Sequence, residues 1–254
     1  MTTLTVIIAT KNEALNIVEC IQSVSFANEI IVLDSGSVDG TQELATGQGA
    51  KVFELDWPGY GKQQQRGISK SQSEWVLSLD ADERISHKLM LEIIESISSG
   101  NFDGYRLPRF SSFCGQFIEH SGWQPDYTLR LVKKEKGGFT DHFLHAHMTV
   151  SGKITDLKNP IIHYSYKNID DVLDKLTRYS LGNARDLHEK GVKSSLGKAL
   201  AHSFWAFLRT YFIRVGFLDG SKGLMLAIYN AQCTYYKYLK LIELNTPSDN
   251  STQI

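Results

Sequence analysis

Residues 29–41 read EIIVLDSGSVDGT, an apolar β-branched run that ends in an acid and passes directly into small residues. The run itself predicts a strand over 29–33. Gly36 and Gly40 permit the turn that follows, and Ser37 or Asp39 offers a side-chain acceptor to a helix beginning near Thr41. That chemistry accounts for the glycines, Ser37 and Asp39 but leaves Asp34 unexplained. An acid at the carboxyl end of a strand in an open parallel sheet can accept hydrogen bonds from a base N–H or a sugar hydroxyl. Asp34 therefore reads either as part of a surface turn or as one wall of a ligand pocket, and its neighbours must decide.

Outward from this stretch, strand and helix signals alternate. Residues 3–9 are a β-branched run. Over 13–24, Leu15, Val18, Ile21 and Val24 recur three apart, as a buried helix face requires. Strands are predicted over 51–55 and 74–79, and helices over 61–73 and 86–97. Such alternation implies right-handed crossovers and an α/β fold with a mostly parallel sheet, whose ligands bind beyond the carboxyl ends of the strands. Thr10, Asp34 and Asp80 all fall at those ends. From 102 to 165 short strand-like pieces rich in Gly, Pro, His and aromatic residues complete the sheet. From 169 to about 244 the signal is helical. The expected organisation is a catalytic domain over 1–168, a helical region over 169–245 and a polar tail over 246–254.

With 254 residues, 42% hydrophobic and 22% charged, at a formal net charge of -1, the chain can bury a sizeable core and has no global charge that points to nucleic acid. Charge is uneven, however: from Lys190 to Lys240 there are eight Lys or Arg and a single acid, Asp219. Cys20, Cys114 and Cys233 form no CxxC pair, which fits a reducing cytoplasm better than a disulfide framework. The start, MTTLTVIIATKNEA, lacks the features of a signal peptide. No stretch is apolar for the ~20 residues of a spanning helix. The expectation is a cytoplasmic protein, soluble or associated with the inner face of a membrane.

The stretch LSLDADERIS (77–86) sets Asp80 and Asp82 two apart at a strand end, beside Glu83. Two such carboxylates can hold a hard divalent cation shared with a phosphate. A solvated acidic turn before a helix capped by Ser86 gives the same pattern. The first strand is followed by ATKNEA and not by GxGxxG, which argues against a dinucleotide-binding dehydrogenase.

Together, TVIIATKNEA, EIIVLDSGSVDGT and WVLSLDADE, in this order and spacing, resemble the inverting family-2 glycosyltransferases of GT-A fold. The resemblance implies a nucleotide-sugar donor, usually a UDP sugar, and a divalent metal, Mn²⁺ or Mg²⁺. It implies that Asp34 hydrogen-bonds the uracil, with Thr10 and Glu13 lining the nucleotide pocket. Asp80 would sit near ribose and metal, and Asp82 would be the principal metal ligand. GYGKQQQRGISKS matches the helix before the metal motif, where Lys62 and Arg66 would face the diphosphate or simply lie on a solvated helix face.

Later stretches, GWQPDYTLRL (122–131), LHAH, IIHYSY and YFIRVGFLDGSKGLMLAI (211–228), resemble bacterial lipopolysaccharide core β-1,4-glucosyltransferases, which implies transfer of glucose from UDP-glucose to an inner-core heptose. Trp123 and Arg130 are the acceptor-binding candidates, Trp123 offering a ring face to a sugar or a wall to the core. Relatives often carry a Glu after the His of LHA. Here Ala146 stands there, so the acceptor hydroxyl needs another base. Asp141 comes first, then Asp126 and His145. His142, His145 and His147 could instead ligate zinc or iron, but no second cluster of fixed spacing supports them. SFWAFLRTYFIRVGF sets Phe204, Phe207, Leu208, Tyr211 and Phe212 on one helical face, which fits either a core helix or one lying in a membrane interface. Two other functions fit the paired acids: a nucleotidyltransferase, and a sugar-nucleotide or lipid-binding module without catalysis.

Overall fold

The apolar runs of the first 80 residues form four parallel strands, β1 (Leu4–Thr10), β2 (Glu29–Asp34), β3 (Lys51–Glu54) and β4 (Trp75–Asp80), in the order β3-β2-β1-β4. The structure is a computed structural model that describes residues 2–140 and 147–246. Strands covered on both faces read as continuous apolar runs without polar alternation. Here the two faces are distinct. Leu4, Val6 and Ile8 share a buried cluster with Ile17 and Ile21 of α1 (Ile17–Ser23), Ala45 of α2 (Thr41–Gly47) and Leu89 and Ile93 of α4 (His87–Ser99). Ile7, Ile31, Leu33 and Val76 point the other way, against Ile68 of α3 (Tyr60–Lys70). Gly67 lets α3 sit this close: a Cβ there would lie 2.5 Å from Ile7 Cγ2 and 2.9 Å from Leu33 Cδ1. Ser86 caps α4 by accepting a hydrogen bond from the Leu89 N–H, as its position in the sequence predicts.

The sheet continues with antiparallel members, β5 (Glu83–Ile85), β6 (Gly104–Phe113), β8 (Tyr127–Lys133) and β12 (Ile161–Tyr166), extending the order to β3-β2-β1-β4-β8-β6-β12-β5. Two short strands, β7 (Gln116–Phe117) and β11 (Ile154–Asp156), pair with β6, and β9 (Gly137–Phe139) pairs separately with β10 (Met148–Val150). Three long helices follow, α5 (Ile169–Glu189), α6 (Leu196–Leu208) and α7 (Gly220–Asn245). No helix among the described residues is long and apolar enough to cross a membrane.

The chain divides into two compact units, one of Met1–Phe110 with Pro125–Tyr164, the other of Ser111–Gln124 with Ser165–Ile254. The second has its own core of Phe113, Ile118, Tyr166, Val172, Leu176, Leu226 and Tyr229. Asp219, buried in it, accepts hydrogen bonds from the N–H groups of Glu119 and His120 and from Ser121 Oγ. Gly223 of α7 lies so near the Gly216 carbonyl that a Cβ would overlap it. The FLDGSKG stretch is thus explained by packing within this unit.

Three sequence expectations are corrected. The helix expected over 13–24 is only Ile17–Ser23, because Glu13 and Asn16 close a turn first: the Glu13 carbonyl accepts from the N–H groups of Asn16 and Ile17. Leu15, assigned to the buried face, is consequently 88% exposed; Ile21 and Val24 are buried as expected, and Ile17 and Cys20 join them. The residue preceding α2 is Gly40, with no side-chain cap; Asp39 accepts from the Thr41 N–H and hydroxyl one position earlier. Of the two readings of the apolar face through Phe204 and Phe212, burial in a core does not hold for these two residues. α6 ends at Leu208, a π-helical turn (Arg209–Ile213) and a 3₁₀ turn (Gly216–Asp219) follow, and the four-residue register is lost. Phe204 and Phe212 are exposed.

Candidate active site

The candidate site lies within the first unit, where β1 turns to β2 on one side and leaves β4 on the other. The register pairs Thr10 with Asp34 across β1–β2 and Ala9 with Asp80 across β1–β4, so three strand ends meet at one level. Chain connections diverge at this point, and a crevice opens beyond the carboxyl ends. The loops after β1 and β2 are stitched into one wall. The Ser35 N–H donates to the Thr10 carbonyl at 3.1 Å, Asn12 N–H to Ser37 Oγ at 2.8 Å, and Val38 N–H to Asn12 Oδ1 at 3.0 Å. Glu13 N–H reaches Thr41 Oγ1 and Ala14 N–H reaches Asp39 Oδ2. Asn12 adopts φ 55, a left-handed conformation that Asn tolerates better than most residues. The hydrogen bond from the Asp39 carboxylate's Thr41 hydroxyl donor holds that carboxyl below its usual range.

Turn chemistry reaches Asp34 as well. Its carboxylate is fully buried and accepts from Gly36 N–H at 3.0 Å, Ser37 N–H at 2.8 Å, Gln42 Nε2 at 2.7 Å and the Ser37 hydroxyl. It organises the wall from behind. The polar atom left over is Thr10 Oγ1, buried at the strand end without a partner among the described residues. Such a group ordinarily has one, in protein, water or ligand. At the ends of β2 and β3 is an open cleft of about 460 Å³ lined by Ser35, Gly36, Glu54, Leu55 and Asp56. Arg66 stands at the rim, its NH1 2.8 Å from Asp56 Oδ1 and 3.1 Å from the Asp56 carbonyl, and Lys62 is exposed on α3. That hydrogen bond from Arg66 lowers the Asp56 carboxyl. Glu13, in the loop after β1, has its Oε2 2.6 Å from Asn16 Nδ2.

On the β4 side, charges alternate. Arg130 NH2 lies 2.8 Å from Asp80 Oδ2 and 2.9 Å from Glu83 Oε1, and Glu83 Oε2 also accepts from the Asp80 N–H. Glu83 has no solvent exposure. Burial would raise the Asp80 carboxyl, but the Arg130 guanidinium overrides it and holds the group below the ordinary range. For Glu83 burial prevails over the same guanidinium, and the carboxyl is raised. Burial disfavours the charged form of Arg130, yet the two acids outweigh it and raise that group. Arg109 pairs with Asp126 Oδ2 at 2.7 Å through NH2 and lies 3.9 Å from Glu83. Asp82 projects from the turn between β4 and β5, and His163 Nε2 is 3.5 Å from its Oδ2.

The structure thus gathers Thr10, Asp34, Asp80, Asp82, Asp126 and Arg130 within one unit. Trp123 belongs to the second unit, packed against Phe113 and Tyr166. Asp141, His142 and His145 lie outside the described residues. The sequence reading passed over Glu83, Arg109 and His163 as functional candidates. Glu83 stands inside LSLDADERIS, but His163 reaches the acids only through the antiparallel register His163↔Glu83 of β12 with β5, a long-range pairing that no local pattern signals.

Can these residues hold a metal? Among the described residues no group of three or more His, Cys, Asp or Glu forms a ready cage. Asp80 is neutralised by Arg130. Asp82 and His163 nevertheless present an oxygen and a nitrogen at a separation compatible with one small divalent ion. Such ions commonly take one or two protein ligands and complete their shell with substrate phosphates and water. The donor set fits an ion that arrives with a phosphate-bearing ligand.

Residues 5–154 match the Glycosyl transferase family 2 domain. An uncharacterized glycosyltransferase of Rickettsia typhi is 32% identical over 96% of this chain and 88% of its own length. A lipopolysaccharide core biosynthesis glycosyltransferase, LpsC of Rhizobium meliloti, is 29% identical over 50% of each chain. Among solved structures, residues 1–349 of S. aureus TarS align with a TM-score of 0.51 at 16% identity, over 95% of this chain and 90% of that one, a likeness of fold.

Proposed function

The chain belongs to glycosyl transferase family 2 and has its GT-A fold, and from that premise we propose that it is an inverting hexosyltransferase using a UDP sugar. The observation that carries this reading is the convergence of Thr10, Asp34 and Asp80 at one level of the sheet, with Asp82 and His163 directly beyond. A nucleoside would occupy the cleft beside Ser35, Gly36 and Asp56, contacting the wall that Asp34 holds in shape and the unpartnered Thr10 hydroxyl. Asp82 and His163 would hold Mn²⁺ or Mg²⁺. When bound, the ion supplies positive charge to the diphosphate.

Arg130 fixes Asp80 and Glu83 in place, so the site needs little rearrangement to receive the donor. Asp80 keeps its carboxylate ionised near the ribose. Lys62 and Arg66, on the exposed side of α3, would bring further cations to the cleft rim. The acceptor hydroxyl attacks the anomeric carbon of an α-linked donor as UDP departs, and the configuration inverts to β. Its proton passes to a base, with Asp141 the first candidate; Asp126 has its Oδ2 engaged by Arg109, and His145 is the third.

Glucose is the proposed sugar and a heptose of the lipopolysaccharide inner core the proposed acceptor. The name of the Rhizobium meliloti relative, together with the resemblance of GWQPDYTLRL and IIHYSY to core glucosyltransferases, supports this choice. The test is incubation with radiolabelled UDP-glucose, Mn²⁺ and an inner-core acceptor. A β-configured glucoside by NMR is the expected product, lost in Asp82→Ala with the fold intact. Pyrophosphate release from UTP with no glycoside formed would replace the reading with nucleotidyl transfer.

A further inference from the structure

The second unit carries a surface to which the proposed sugar transfer assigns no role. Between Leu196 and Leu218 the chain exposes large apolar side chains in quick succession: Leu200, Phe204 and Trp205 on α6, then Ile213, Phe217 and Leu218 in the turns beyond. Phe204 is 66% exposed and Ile213 61%. Single exposed apolar residues are ordinary on a soluble protein, but a concentration of this kind marks an interaction surface. The π-helical turn contributes to it. Two exposed apolar residues, Phe212 and Ile213, lie in that turn itself.

Charge narrows the choice of partner. Lys198, Arg209 and Arg214 are exposed along the same segment, and Lys193 is exposed just before it. From Lys190 to Lys240 the single acid is Asp219, and it is buried, with its carboxylate bonded to Glu119, His120 and Ser121. The segment therefore shows solvent only positive charge among its apolar residues. A second copy of the chain would set these cations against their own counterparts, which is unfavourable. Apolar and aromatic groups flanked by Lys and Arg, on a protein with no spanning helix among its described residues, match the interface of a bilayer with anionic headgroups.

We propose that the segment from Leu196 to Leu218 docks the protein on the surface of an anionic phospholipid bilayer, its apolar side chains entering the headgroup–acyl boundary and its cations lying over the phosphates. Docking of this kind is independent of which sugar is transferred.

The full chain is mixed with sucrose-loaded vesicles of phosphatidylcholine, with and without phosphatidylglycerol, and pelleted. Sedimentation with the anionic vesicles only, weakened by salt, is expected. Replacing Lys198 and Arg209 by Gln should lower the partition coefficient about fivefold for each cation removed. Phe204→Ser combined with Ile213→Ser should lower it roughly tenfold or more, with the urea midpoint unchanged because both side chains are exposed. Lipids brominated in the acyl chain should quench tryptophan fluorescence, and Trp205→Phe should lose most of that quenching. These wild-type lipid, salt and quenching dependences decide the matter even if a substituted protein folds poorly. Wild-type protein that remains in the supernatant with anionic vesicles would overturn the proposal, as would variants that bind like wild type. A stable dimer by light scattering that the apolar variant dissociates would assign the surface to self-association instead.

Discussion

Replacing Arg130 with methionine removes the guanidinium that joins Asp80 and Glu83, at 2.8 and 2.9 Å respectively. Glu83 is wholly buried and the Arg130 side chain is 13% exposed, so the loss leaves an uncompensated acid away from water. Removing one partner of a buried ion pair costs about 3–5 kcal/mol. Arg109, at 3.9 Å from Glu83, compensates in part, which puts the expected loss near 3 kcal/mol at neutral pH. Urea unfolding followed by circular dichroism measures it. The pH dependence supplies a second, sharper reading. Burial already raises the Glu83 carboxyl against the pull of Arg130, and without Arg130 the rise is larger. Between the ordinary glutamate value and that raised value, the native state holds a proton that the unfolded state has released. Stability therefore increases as pH falls through this window. The deficit of Arg130→Met should shrink steadily on acidification from neutral pH toward the ordinary glutamate range. Arg130→Lys should lie between the two, keeping the charge but not the planar fork. A neutral-pH loss below about 1 kcal/mol, the scale of a surface pair, or a deficit that does not change with pH, would refute this account of the β4 end.

Other expectations follow from packing and hydrogen bonding. Gly67→Ala drives a methyl into Ile7 and Leu33 and should cost about 1–3 kcal/mol, seen as a lower unfolding midpoint. Asp219→Ala strands the Glu119 and His120 N–H donors and the Ser121 hydroxyl. It should cost about 2–4 kcal/mol, by summing the penalties of unsatisfied buried groups, with a loss of near-ultraviolet signal from the aromatic core of the second unit. Asp34→Ala should both destabilise the protein, by about 2–3 kcal/mol for a charged acceptor of several hydrogen bonds, and weaken UDP binding. Equal UDP affinity in calorimetry would exclude any link between the wall and the nucleotide.

The parallel half of the sheet was legible because its strands are short, apolar on both faces and bounded by turn residues, which sets Thr10, Asp34 and Asp80 at one edge from sequence alone. The role of Asp34 was legible only in position. Its buried carboxylate binds the turn, a function that Gln42 reveals and that no strand periodicity could. Leu15 failed because a three-residue repeat cannot register where a helix starts; Glu13 and Asn16 decide that through a turn. His163 and Arg109 were beyond reach for a different reason. Antiparallel pairing of β12 with β5, and of β6 with β8, brings residues far apart in sequence to the acids of one strand end. For the Phe204–Phe212 face, helical periodicity alone left the core and the membrane interface open, and the π-helical turn that interrupts it has no sequence signature of its own.

The most direct test of the central claim is calorimetric titration of UDP with and without Mn²⁺, on wild type, Asp82→Asn and His163→Ala. Binding of metal and nucleotide at one site makes each raise the affinity of the other by the same factor. The expected result is tighter UDP binding with Mn²⁺ in the wild type, by roughly tenfold or more on the usual scale of such coupling. In both variants that gain should collapse while metal-free UDP binding persists. Undiminished coupling in Asp82→Asn would contradict the account.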